Sequence, residues 1–121
     1  LKQSEKTING TTYLVKQMDA VSALKLQTRM LRLLGSGFFK LLDDKGLTSE
    51  KLAKVLPSLM DRFDDELVNK IILSLFEDNI MIKGPEETLL ALDFATHFVG
   101  KLNDMWALVA FILKVNFNVG E

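Results

Sequence analysis

The stretch Asp93 to Phe117, DFATHFVGKLNDMWALVAFILKVNF, constrains the fold more than any other part of this chain. It holds the single Trp (Trp106), the single His (His97) and half of the eight Phe residues, and it contains no Pro. Apolar residues recur at helical spacing through Phe94, Phe98, Leu102, Met105, Val109 and Ile112, with Trp106 and Leu113 at the edge of the same arc. Thr96, Gly100, Lys101, Asn103 and Asp104 fall opposite. Asp93 stands where a carboxylate accepts from the free N–H groups of a first helical turn. After Met105 the polar face disappears, because Ala107, Leu108, Phe111 and Val115 take its place. A helix that is apolar all round is either enclosed by core or keeps a second face for a partner. Its longest uncharged run, Met105 to Leu113, falls well short of the roughly 20 residues that a membrane span needs. Gly100 leaves open whether 93–117 is one unbroken helix.

A chain of 121 residues fits one domain, and 48% hydrophobic residues are enough for a core. Fifteen basic and sixteen acidic residues leave a net charge of −1, which argues against a dedicated nucleic-acid binder. The absence of Cys removes disulfides and thiolate metal sites. The first residues, LKQSEKTING, are polar and do not form the apolar core of a secretory signal.

Taken in order, residues 5–17 read as a β-hairpin around Asn9-Gly10, a pair that tolerates positive φ at both positions. Asp19 caps a helix over 20–34, which Gly35 ends. Ala20, Ala23, Leu24, Leu31 and Leu34 are its expected buried face, widened by Leu26, Met30 and Leu33. Lys25, Arg29 and Arg32 share the opposite face, which suits an acidic partner or simply solvent. Gly35-Ser36-Gly37 reads as a hinge before one or two apolar turns with Phe38, Phe39, Leu41 and Leu42, which stop at Asp43-Asp44-Lys45-Gly46. Thr48 or Ser49 opens the next helix, with Leu52, Val55, Leu56, Leu59, Met60 and Phe63 inward. Pro57 predicts a kink or break near Leu56. Asp64 caps a helix over 65–77, with Leu67, Val68, Ile71, Ile72, Leu75 and Phe76 inward. Ile80-Met81-Ile82 reads as a short extended segment ending at Gly84-Pro85, and residues 86–92 lead into the long helix.

Little in the chain points to catalysis or metal binding. His97 lacks Cys and further His residues to join it in a metal cluster. Asp93, four residues earlier, is its expected partner on the helix surface. No nucleophile motif accompanies the pair. Asp61, Asp64, Asp65 and Glu66 lack the spacing of a calcium loop and suit a helix start instead. A helix-turn-helix drawn over 48–74 would aim Asp65 and Glu66 at phosphates, where repulsion wins.

Two stretches, TINGTTYLVKQMDAVSALKLQTRMLRLLG and LDFATHFVGKLNDMWALVAFILKVNF, carry a resemblance. The first is a hairpin around Asn-Gly, a short linker and an amphipathic helix ending Leu-Leu-Gly. The second runs Asp93, Thr96, His97, Phe98, Gly100, then an apolar helix ending Lys114-Val115-Asn116-Phe117. Together they resemble the tail assembly chaperones of long-tailed bacteriophages. The resemblance implies a small, mostly helical, non-enzymatic protein of the host cytoplasm, absent from the finished virion and needing no cofactor. It implies partners too: the tape-measure protein, which such chaperones coat and keep soluble, and the tail-tube protein.

The expected fold is therefore mainly α: one domain over 1–121, with a hairpin at 5–17, a helical bundle over 18–121 and a long apolar C-terminal helix. Holding a long apolar partner calls for exposed apolar surface. The candidate partner-binding residues are Leu108, Phe111 and Val115 on the second face of the last helix, with Phe38 and Phe39 beside the Gly hinge. Ordinary core is the competing reading for all five. An exposed apolar face also predicts self-association, aided by strand pairing at the hairpin edge. Neither nucleic acid nor membrane is an expected partner. The alternative function is a helical adaptor or regulatory module for some other protein helix.

Overall fold

Asn9 and Gly10 adopt φ of 47° and 86°, the two positive values of a type I′ hairpin turn. The strands Gln3–Ile8 (β1) and Thr11–Lys16 (β2) run back from that turn in antiparallel register, from Ile8 opposite Thr11 to Gln3 opposite Lys16. This is a computed structural model, and it describes residues 2–42, 46–77 and 79–117.

The hairpin is half of a larger sheet. Ile80–Lys83 (β3) pairs with the far edge of β2, placing Tyr13 opposite Ile82 and Val15 opposite Ile80. A single 3-10 turn, Pro85–Glu87, reverses the chain into Leu89–Ala91 (β4), which pairs antiparallel with β3. The sheet order is β1-β2-β3-β4. With 60% helix and 17% strand, the protein has a mixed α/β fold, and the expectation of a mainly helical bundle is corrected. The physical reason is that a lone hairpin is marginal in water and gains stability from further strands. Residues 80–91 supply them from far along the chain. β4 was missed because Leu89, Leu90 and Ala91 are too few to show a strand period.

Local signals set most helix boundaries. Ala20–Leu34 (α1) begins at Asp19, whose carboxylate accepts from the Ser22 N–H at 2.8 Å and the Ser22 hydroxyl at 3.0 Å. It ends where the Gly35 N–H donates to the Leu31 carbonyl at 2.9 Å. Ser36–Leu42 (α2) follows at once; the expected stop at 43–45 lies outside the described residues. Ser49–Met60 (α3) is capped by the Thr48 hydroxyl, which accepts from the Lys51 N–H at 3.1 Å. It runs through Pro57 without the expected break. The cost of an interior proline, about 3 kcal/mol, is outweighed by burying Leu52, Leu56 and Met60 on both sides of it. Asp65–Leu75 (α4) starts at Asp64, which accepts from the Glu66 N–H at 2.8 Å, and it stops two residues short of the expected end.

The region 93–117 is two helices, Phe94–His97 (α5) and Leu102–Phe117 (α6). Gly100 separates them at φ 73°, a left-handed conformation that ends a helix. Asp93 precedes α5, but its carboxylate accepts from the Thr96 hydroxyl at 2.9 Å rather than from a backbone N–H. α6 is the central element. It packs on α3, α2, α4 and β1, and buries Met105, Leu108, Val109, Ala110, Ile112 and Leu113 around most of its circumference. Tyr13, Val15 and Ile80 close the same core from the sheet.

Candidate partner-binding surface

α1 carries its apolar residues, Val21 apart, over about half of its circumference, opposite Lys25, Arg29 and Arg32, and that arc is wider than one packed face. The fold buries Leu26 and Met30 and leaves Val21, Leu24 and Leu31 at 65%, 62% and 41% exposure. This corrects the expected inward face. Leu24 and Leu31 point to solvent, Ala20 is exposed, and Ala23, Leu33 and Leu34 are half-buried. At about 100° per residue, Val21, Leu24 and Leu31 share one side of α1, roughly opposite Leu26 and Met30. They form an apolar stripe that no other element among the described residues covers.

Lys25, Arg29 and Arg32 occupy a third side of α1. Arg29, Arg32 and Leu33 line a hollow of ≈ 370 Å³ with Leu67, Lys70 and Ile71 of α4. A second hollow, ≈ 390 Å³, adjoins it at Arg29 and reaches Asp19, Lys25, Glu77 and Asn79. A third, ≈ 280 Å³, adjoins it at Leu33 and is lined by Gly37, Phe38, Leu59, Arg62 and Phe63. Sharing Arg29 and Leu33 as lining residues, the three hollows lie in succession beside α1 and are treated together as its groove.

The five candidate residues chosen from sequence lie elsewhere. Leu108 is at 0% exposure and Phe38 at 5%, both within the core. Phe111 is half-buried under Lys6, whose Nζ sits 5.8 Å from the ring centroid. Val115 is half-buried, and its carbonyl accepts from Gln17 Nε2 at 3.3 Å. Phe39 lies between the rings of Phe38 and Phe117, with centroids 5.6 Å away in each case. Phe38 and Phe39 are thus brought to the C-terminal end of α6, and β1 covers Phe111.

His97 pairs with Tyr13 rather than with Asp93. Its Nε2 is 2.6 Å from the Tyr13 hydroxyl, and the two rings meet edge-on. Burial, with the nearby Lys101, holds the imidazole below its usual range against the opposing pull of Asp104. Burial and the Asp104 charge push the Tyr13 phenol up. Both shifts favour a phenol O–H donating to a neutral imidazole. Asp104 also accepts from Asn9 Nδ2 at 2.5 Å, which ties the hairpin turn to the start of α6. The pair therefore joins the sheet to the α5–α6 junction. Among the described residues no cluster of His, Asp and Glu is arranged to hold a metal ion. No helix among them is long and apolar enough to cross a membrane.

Sequence reading missed the α1 stripe because it assigned Leu24 and Leu31 to the core. The available signal was an excess: α1 has more apolar residues than one buried face accommodates.

No curated protein and no solved structure matches the chain. A family model described as phage tail assembly chaperone protein, TAC, matches residues 9–119, which takes in β2, β3, β4 and α1 to α6. The chain belongs to the phage tail assembly chaperone family.

Proposed function

We propose that this protein acts without catalysis, holding the phage tape-measure protein soluble in the host cytoplasm while the tail is built. The observation that carries the reading is the solvent-facing stripe Val21, Leu24 and Leu31 on α1. Uncovered apolar side chains in a row on a helix are a docking surface for another apolar segment. Their burial by a partner would remove apolar area from water on both sides, at about 25 cal/mol per Å² before the costs of association. The half-buried Phe39, Phe111 and Val115 belong to a different part of the surface. Leu108 and Phe38 act from inside the core, so substituting them tests folding before it tests binding.

The test is co-expression with the tape-measure protein of the same phage. The native chain is expected to co-purify with it and to raise its soluble fraction. The double variant Val21→Asp/Leu24→Asp is expected to stay folded, because both positions are largely exposed, and to lose that effect. A tape measure that is equally insoluble with and without the native chain sinks the tape-measure reading. A folded double variant that holds it as well as the native chain removes α1 as the docking surface.

A further inference from the structure

The groove on the other side of α1 carries a second kind of recognition. Arg29, Arg32, Arg62 and Lys70 line its middle and its α2 end. Among the described residues none of these four makes an ion pair. Below the cations the lining is apolar: Leu33, Leu67 and Ile71 in the middle hollow, Leu59 and Phe63 in the next. Among the described residues the carboxylates lining the groove are Asp19 and Glu77, which sit at the opposite end, and Asp19 is already engaged in capping α1.

From this arrangement we infer that the groove binds an amphipathic helix with acidic flanks, supplied by another protein. The groove follows α1 along its length, and 15 residues at 1.5 Å each give roughly 22 Å, or four turns of a bound helix. An apolar stripe at i, i+3, i+4 and i+7 would rest on Leu33, Leu67 and Ile71, and Glu or Asp beside it would meet Arg29, Arg32 and Lys70. Arginine suits this task, because its planar fork grips a carboxylate with two hydrogen bonds. A nucleic-acid strand satisfies the cations but leaves the leucine and isoleucine lining unmatched, since this groove offers few rings for bases to stack on. The inference stands on the groove alone and is independent of tape-measure docking on the α1 stripe.

The experiment is fluorescence anisotropy with three labelled probes on the full chain. One is a peptide of about 18 residues with leucines at helical spacing and Glu on both flanks. The second has the same leucines with Lys flanks, and the third is a single-stranded oligonucleotide of similar charge to the first. The acidic peptide is expected to bind at least about tenfold more tightly than the basic one, and to weaken with added salt. Arg29→Glu/Lys70→Glu, two exposed positions whose variant should keep the native circular dichroism, is expected to weaken it by at least about tenfold. Val21→Ser/Leu24→Ser, which adds no charge, is expected to leave it unchanged, which separates this site from the stripe. Equal binding of the two peptides, or no loss in the charge-reversed variant, overturns the inference. So does an oligonucleotide that binds as tightly as the acidic peptide. A self-associated native chain whose assembly is abolished by Arg29→Glu/Lys70→Glu overturns it in favour of a second copy as the occupant.

Discussion

Leu108→Ala and Leu24→Ala delete the same atoms from two helices, and the fold gives the two deletions very different costs. Leu108 lies on α6 at 0% exposure, and Leu24 lies on α1 at 62%. At about 0.8 kcal/mol for each carbon withdrawn from the core, truncating Leu108 forfeits roughly 2.4 kcal/mol of transfer energy. The cavity left among Met105, Ile112 and their neighbours brings the total to about 3–5 kcal/mol. Leu24 already keeps most of its surface in water, leaves no cavity when shortened, and gains slightly in helix propensity, so its loss stays within about 0.5 kcal/mol. Urea unfolding followed by far-UV circular dichroism and Trp106 emission reads both. With a urea slope of about 1–3 kcal/mol per molar, Leu108→Ala should lower the midpoint by more than about 1 M and Leu24→Ala should barely move it. A loss above about 2 kcal/mol for Leu24→Ala, or below about 1 kcal/mol for Leu108→Ala, would refute the assignment of core and surface. The contrast also governs how binding data are read: a Leu108 variant that loses its partner has first lost its fold.

Two further outcomes follow from the same contacts. Because His97 titrates below its usual value in the folded chain, stability is full above pH 6.5, where the imidazole is neutral in both states. It declines as pH falls through 6.5, where the unfolded chain takes up the proton first; His97→Gln should flatten the urea-midpoint profile there, and an unchanged slope would count against the Tyr13–His97 contact. Pro57→Ala restores an amide donor inside the unbroken α3 and should raise stability by about 1 kcal/mol or more, seen as a higher Tm; a lower Tm would mean that the pyrrolidine ring is itself a needed packing element.

What could be read from the chain alone was short in range. The caps at Asp19, Thr48 and Asp64, the turn at Asn9-Gly10 and the stop at Gly35 each rest on bonds or dihedrals within about four residues. Such signals are complete in the local sequence, so four of these positions were legible outright and the fifth was narrowed to Thr48 or Ser49. So was the apolar character of α6, and the resemblance at both ends led to the right family. Tertiary structure decided the rest. Whether Tyr13 meets Ile82 depends on where two distant segments lie, and no residue near either one encodes it. Whether Leu24 or Leu26 faces inward depended on where α4 and α2 settled, because the apolar arc of α1 is wide enough for either to be buried. Leu108, Phe111 and Val115 posed the same ambiguity on α6: an all-apolar helix is equally good at the centre of a core or against a partner. Periodicity reports only that an apolar side chain recurs; what covers it is settled by the elements that pack there. In this protein they covered α6 with α3, α2, α4 and β1, and left Val21, Leu24 and Leu31 of α1 in water.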